Sequence, residues 1–103
     1  MPIDSHYNPD SMKFTIKVIG RFDYGEVHQF SNALKLITPK MRSITIDLDE
    51  TLYIDSSALG MLLALLKMTM ANQQTIKIIN VKQSVAKALA DANFQKLFRI
   101  EIK

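Results

Sequence analysis

The sequence predicts an α/β fold, in which about three helices pack mainly on one face of a sheet of four to five mostly parallel strands. Along the chain, segments in which every second residue is apolar are followed by segments whose apolar residues recur every three or four positions. Each predicted strand also keeps one polar side. The 103 residues, 48% hydrophobic and 22% charged, fit one ordinary globular domain.

The first half of the chain contains two predicted strands and one predicted helix. Residues 1–11 include two prolines, so we expect a flexible N-terminal arm or an edge segment there, and a domain at residues 12–103. KFTIKVIG alternates and predicts a strand, and GRFDYG predicts a turn that contains Asp23. Apolar spacing from Glu26 to Ile37 predicts a helix ended by Pro39. SITIDL predicts the next strand, and DETLYID predicts a turn with a short extended piece.

The second half continues the alternation. A helix is predicted from about Ser57 to Ala71, a strand over 75–80, a helix over about 83–92 and a final strand in FRIEIK. Asn93 suits a left-handed helix stop. This order predicts a mainly parallel sheet with right-handed crossovers. The polar side of each strand predicts a second sheet face that stays exposed to water.

Composition excludes several classes of function. The chain has no cysteine, so disulfides and thiolate metal sites are impossible. The N-terminus does not resemble a signal peptide and the longest apolar run is too short to span a bilayer, so we expect a cytoplasmic protein without membrane insertion. The net charge of +3 is spread along the chain without a basic run, which argues against direct nucleic-acid binding.

Catalytic and metal motifs are also missing from the sequence. DSSAL differs from the G-x-S-x-G nucleophile turn, and His6 and His28 have no evident carboxylate partner. The 3 glycines form no phosphate-binding pattern, and DLDE lacks the ligand spacing of a calcium loop. We therefore expect no enzymatic activity, no metal and no cofactor.

The helix after YIDSS has two distinct sides. Projection at about 100° per residue places five residues on the side predicted to be buried: Leu59, Leu62, Leu65, Leu66 and Thr69. The opposite side is small-residued and nearly uncharged, and consists of Ser56, Gly60, Ala64, Lys67 and Ala71, with Leu63 at its border. This side is either an ordinary apolar helix surface or a docking surface for a partner.

Ser56 and Ser57 have two possible roles. A serine or an aspartate at a helix start accepts a backbone N–H and stabilises the helix by about 1 kcal/mol. A phosphorylated serine there is compatible with the fold, because free N–H groups and the helix dipole favour an anion. The phosphate would add about −1.5 to −2 charges at the rim of the apolar side and oppose binding.

IDSSALG after the strand ITIDL, together with GRFDYGEV, resembles the STAS domain of bacterial anti-sigma factor antagonists over about residues 13–102. Ala58 stands where that family often has glycine, and Asn93 replaces another common glycine. The resemblance implies phosphorylation of Ser56, with Asp23 beside it and Ser57 left as a structural cap. The partner-binding residues that we predict are Asp23, Asp55, Ser56, Ser57, Gly60, Leu63, Ala64 and Lys67.

The resemblance also implies partner switching. The unphosphorylated antagonist would bind an anti-sigma factor that is often a serine kinase, and phosphorylation would abolish binding. A serine phosphatase would restore binding, and ATP and magnesium would belong to the kinase. The alternative is a non-catalytic STAS subunit that regulates a membrane transporter of the lipid or sulfate type. Oligomeric state and the identity of the sigma factor stay open.

Overall fold

The computed structural model describes residues 2–103. It contains seven strands, three α-helices and two short 3₁₀ turns, at Tyr24–Glu26 and Phe94–Lys96. In chain order, the strands and α-helices are β1 (Ile3–Asn8), β2 (Lys13–Val18), β3 (Gly20–Phe22), α1 (Val27–Leu34), β4 (Ser43–Asp47), β5 (Thr51–Ile54), α2 (Ser56–Ala71), β6 (Thr75–Val81), α3 (Gln83–Asp91) and β7 (Arg99–Ile102).

The main sheet has five strands in the order β1-β2-β4-β6-β7. β1 runs antiparallel to β2, whereas the pairs β2–β4, β4–β6 and β6–β7 are parallel. Ile16, Ile46 and Ile78 lie opposite one another on neighbouring strands and are fully buried. They share one hydrophobic core with Phe30 of α1 and Leu89 of α3. The predicted α/β class and mostly parallel sheet are therefore confirmed.

Residues predicted as an arm or an edge segment include β1, the edge strand that pairs with β2 along its whole length. Ile3 is only 9% exposed and belongs to the core. A turn at residues 9–12 joins the two strands, and Met12 adopts a left-handed conformation there, with φ 54°.

The stretch predicted as a turn after Gly20 contains a short strand. β3 pairs in parallel with β5 and forms a second, two-stranded sheet. The prediction of a turn over GRFDYG was wrong for its first half, because three residues are too few to show an alternating pattern. Gly20, with φ 82°, allows the chain to leave β2 and enter β3.

α1 is shorter than predicted and ends at Leu34 instead of Ile37. Beyond it, Leu36 N–H bonds to the Ala33 carbonyl and Ile37 N–H to that of Leu34, which is the tighter i→i+3 pattern. Pro39 disfavours helical backbone at Thr38, so the chain does not continue as a helix beyond these tighter turns. Among residues 2–103, no helix combines the length and apolar character needed to cross a membrane.

The sheet face opposite the helices is only partly exposed to water. Thr45 on the central strand is 1% exposed, between Thr15 of β2 and Lys77 of β6. The burial of Thr45 at the centre of the sheet corrects the prediction that this face stays exposed to water. Lys13, Lys77 and Arg99 lie on this same face.

Candidate functional site

Asp55 connects the start of α2 to the turn after β3. Its Oδ1 accepts the N–H of Ala58 at 3.0 Å, which makes Asp55 the N-cap of the helix. Its Oδ2 accepts the N–H of Tyr24 at 3.3 Å. The expectation that Ser57 caps the helix was therefore wrong. A carboxylate has two acceptor oxygens, so this one residue accepts a backbone N–H from each of the two segments.

Ser56 and Ser57 are the first two residues of α2. Ser56 is exposed and Ser57 half-buried. Within residues 2–103, neither hydroxyl bonds to another protein group, because Asp55 already occupies the capping position. The first backbone N–H groups of the helix point toward the same end, where the dipole is positive. The Ser56 hydroxyl is thus accessible in a place that tolerates an anion.

Asp23 lies in the turn that packs beside this helix start. The Asp55 N–H donates to the Phe22 carbonyl at 3.3 Å, which brings the two segments together. The Asp23 carboxylate accepts the N–H of Gly25 at 3.0 Å and the Nε–H of Arg21 at 3.0 Å. The contacts of Asp23 are thus those of an ordinary turn-forming residue. Its turn also lies beside the helix start that contains Ser56, the predicted phosphorylation site.

Gly25 lies close to the Asp23 carboxylate in this turn. A Cβ at Gly25 would lie 3.2 Å from Asp23 Oδ1, closer than most real Cβ contacts. The tight approach lets the carboxylate reach the Gly25 N–H and close the 3₁₀ turn. The turn is therefore held in place beside Asp55 by side-chain hydrogen bonds at both aspartates.

The outer side of α2 is exposed as the helical projection predicts. Five residues line this side and are all exposed: Ser56, Gly60, Leu63, Ala64 and Lys67. Leu62, Leu65 and Thr69 on the inner side are fully buried. A Cβ at Gly60 would meet nothing within 4 Å, so the surface there is open. Of the predicted partner-binding residues, Asp23, Asp55, Ser56 and Ser57 lie around the start of α2, and Gly60, Leu63, Ala64 and Lys67 continue along its outer side.

Three exposed apolar side chains near this region escaped the sequence reasoning. Tyr24 is 77% exposed, Leu52 65% and Tyr53 44%. The Arg21 guanidinium lies 4.2 Å from the centre of the Tyr53 ring, within cation–π distance. The sequence does contain a signal for this exposure. Leu52 and Tyr53 are adjacent in a segment predicted to be extended, and successive strand residues face opposite sides, so at least one of the two must face outward.

The two histidines lie apart from each other on the surface. His6 lies on β1 and His28 on α1, and both are exposed. Across residues 2–103, no group of three His, Asp or Glu side chains is placed to hold a metal ion.

Comparison with known proteins shows the family. The sequence profile of the STAS domain matches residues 5–103. A STAS-domain containing protein of Pseudomonas aeruginosa is 37% identical over 100 residues, which are 97% of this chain and 99% of that protein.

Solved structures share the fold at low sequence identity. The anti-sigma factor antagonist SpoIIAA in its unphosphorylated form matches with a TM-score of 0.70 and 18% identity, over 95% of this chain and 86% of that one. A sulfate transporter family protein from Wolinella succinogenes matches with a TM-score of 0.78 and 15% identity, over 87% of this chain and 76% of that one. With its sequence match over nearly the whole length and its five-stranded α/β fold, this chain belongs to the STAS domain family.

Proposed function

We propose that this protein is an anti-sigma factor antagonist whose binding is controlled by phosphorylation of Ser56. The unphosphorylated form binds an anti-sigma factor with serine kinase activity in the cytoplasm and thereby regulates transcription. Phosphorylation of Ser56 abolishes that binding, and a serine phosphatase restores it. The protein itself is a substrate and a binding module without a cofactor of its own.

The observation that supports this proposal best is the position of Ser56. Its hydroxyl is exposed and makes no hydrogen bond among residues 2–103, where Asp55 caps the helix, so a kinase can reach it without unfolding the site. A phosphate there would be tolerated by the helix N-terminus. It would also place about two negative charges beside the exposed residues Gly60 and Leu63, which opposes docking of an apolar partner surface.

Asp23 and Asp55 have supporting roles in this proposal. Asp55 holds the helix start against the turn at Tyr24. Asp23 holds the turn itself through Gly25 and Arg21. The two carboxylates thus keep the surface around Ser56 in one conformation, and Asp23 adds a charge that a kinase or phosphatase can contact.

Affinity capture from the native cells tests the proposal, with Ser56→Ala and Ser56→Glu as baits. We expect the Ala form to retain a kinase-type anti-sigma factor and the Glu form to lose it. Incubation of the wild-type protein with that kinase and ATP should place phosphate on Ser56 in mass spectra, and Ser57→Ala should still accept it. Phosphate on Ser57 alone, or on neither serine, would contradict the proposal.

Regulation of a transporter is the second candidate, because the sulfate transporter family protein has the same fold. The capture experiment separates the two. Recovery of a membrane transporter or its ATPase with both baits would favour the second candidate and overturn the first.

A further inference from the structure

A cleft of about 830 Å³ opens at the end of the sheet where the parallel strands begin. Its lining comes from the β1–β2 turn, the loop before β4 and the end of α2, including Met12, Arg42 and Asn72. Ser56 lies at the other end of the same helix. The 16 residues of α2 span roughly 24 Å, so the cleft and the proposed switch are separate surfaces.

Hydrogen bonds between segments distant in sequence hold the walls of the cleft in place before any ligand binds. The Gln74 amide Nε2 donates to the carbonyls of Thr38 and Met41 at 2.8 and 2.9 Å. The Arg42 N–H donates to the Met12 carbonyl at 2.7 Å. Met12 and Gln73, both in the left-handed conformation, shape two of its walls. A ligand would therefore meet walls that are already ordered.

The cleft concentrates unpaired positive charge. Lys40 and Arg42 line it, and Lys13 lines an adjoining hollow of about 320 Å³ that shares Ser43 and Thr75 with it. None of the ion pairs formed among residues 2–103 includes Lys13, Lys40 or Arg42.

Two further cations of the hollow, Lys77 and Arg99, share one carboxylate. Glu101 lies 3.8 Å from Lys77 and 3.5 Å from Arg99. At the opposite end of the sheet Lys17 pairs with Glu50 and Lys103 with Asp49, and only Lys82, which follows β6, is left without an ion pair among residues 2–103. The unpaired positive charge is therefore greater at the cleft end of the molecule.

The arrangement of these cations indicates the shape of the ligand. Lys13 lies on β2, whereas Lys40 and Arg42 lie in the loop before the neighbouring strand β4, so the unpaired cations are spread along the cleft and its adjoining hollow. An extended peptide places its alternate side chains about 7 Å apart on one side, which matches cations spread along a cleft. Pro9 and Pro39 offer apolar contact between the charges.

We propose that this cleft binds an acidic segment of a partner protein in extended conformation, at a surface separate from Ser56. The C-terminal end of α2 places roughly half a negative charge there, which the three unpaired cations outweigh. A nucleic-acid strand fits less well, because Tyr7, the aromatic side chain among the lining residues, is half-buried and unavailable for base stacking.

Fluorescence anisotropy with a labelled ten-residue peptide of alternating glutamate and threonine tests this proposal in 0.15 M salt. We expect saturable binding to the wild-type protein and none for the peptide with glutamine in place of glutamate. Lys13→Gln with Arg42→Gln should weaken binding about fivefold or more, as the loss of two charge contacts predicts. The matched control, Lys82→Gln with Lys87→Gln, should change it less than twofold. Ser56→Glu should bind the peptide like the wild type.

Three results would overturn the proposal. One is a lack of saturable binding by the wild-type protein. Another is an equal loss in the two double variants, which would indicate attraction by net charge alone. The third is tighter binding of a ten-nucleotide thymidine strand than of the peptide, which would assign the cleft to nucleic acid. Circular dichroism of each variant ensures that a loss of binding comes from a folded protein.

Discussion

At the scale of single residues, the two oxygens of Asp55 join the start of α2 to the turn at Tyr24. We predict that Asp55→Ala lowers the free energy of unfolding by about 1–2 kcal/mol, because the helix loses its N-cap and the turn loses its acceptor. Ser57→Ala should change it by less than about 0.5 kcal/mol, since the Ser57 hydroxyl makes no hydrogen bond within residues 2–103. Urea denaturation measures both.

The comparison between these two variants is decisive for the capping assignment. A larger loss in Ser57→Ala than in Asp55→Ala would show that the serine caps the helix after all. Asp55→Asn is a useful third variant, because it keeps a capping oxygen and should retain most of the stability.

At the scale of elements, the two sides of α2 have different roles. The inner side stabilises the fold, and the outer side is the proposed docking surface. We predict that Leu62→Ala lowers the free energy of unfolding by about 2–5 kcal/mol, because Leu62 is fully buried and its truncation leaves a cavity. Gly60→Glu should leave the fold intact, since a Cβ at Gly60 meets nothing within 4 Å and glutamate is a better helix former. It should nevertheless abolish binding of the proposed anti-sigma factor.

Thermal unfolding and partner capture, run on both variants, distinguish these effects. If Gly60→Glu unfolds, the outer side of α2 is not free. If it folds and retains its partner with normal affinity, the docking surface lies elsewhere. The exposed Tyr24, Leu52 and Tyr53 near the start of α2 would then be the next surface to test.

At the scale of the whole molecule, an ion pair joins Lys103, which follows β7, to Asp49 in the loop between β4 and β5. The Lys103 ammonium lies 2.6 Å from Asp49 Oδ1, and this hydrogen bond holds the pKa of Asp49 below its ordinary value of 3.8. A carboxyl whose pKa is lower in the folded state stabilises the fold above the unfolded pKa. That stabilisation is lost as the pH falls through the folded pKa.

We therefore predict that Lys103→Gln melts slightly below the wild type at pH 7 and that the difference shrinks as the pH falls below 3.8. Lys103 is exposed and Asp49 half-buried, so the pair is largely solvated, its effect is small and it should weaken at high salt. Lys96→Gln is the control, because it removes the same charge without breaking an ion pair among residues 2–103. A difference between Lys103→Gln and wild type that stays constant from pH 7 to pH 2 would contradict the assignment.

The opposite case is Lys17, whose hydrogen bond to Glu50 raises the pKa of its ammonium above the ordinary 10.5. The contribution that comes from protonation of Lys17 is complete below pH 10.5 and is lost as the pH rises through the raised pKa. Acid titration of Lys103→Gln is therefore not confused by deprotonation of Lys17.

The sequence by itself determined the class of fold, the outer and inner sides of α2 and the left-handed stop at Asn93, which has φ 60°. These features depend on residues close in sequence. Apolar spacing of two or of three to four residues defines a buried side regardless of what packs against it, and asparagine tolerates the left-handed region wherever it occurs.

Tertiary structure decided which neighbouring polar residue caps α2, whether Gly20–Phe22 is a strand and how far Thr45 is buried. Asp55 is the cap because α2 begins at Ser56, which leaves Ser57 inside the first turn, and the same carboxylate also accepts the distant Tyr24 N–H. β3 exists because β5 lies beside it, and the basic cleft forms only when segments near residues 12, 42 and 73 meet. Such contacts depend on the topology of the chain, since the hydrogen-bond partners that decide them lie some thirty residues away.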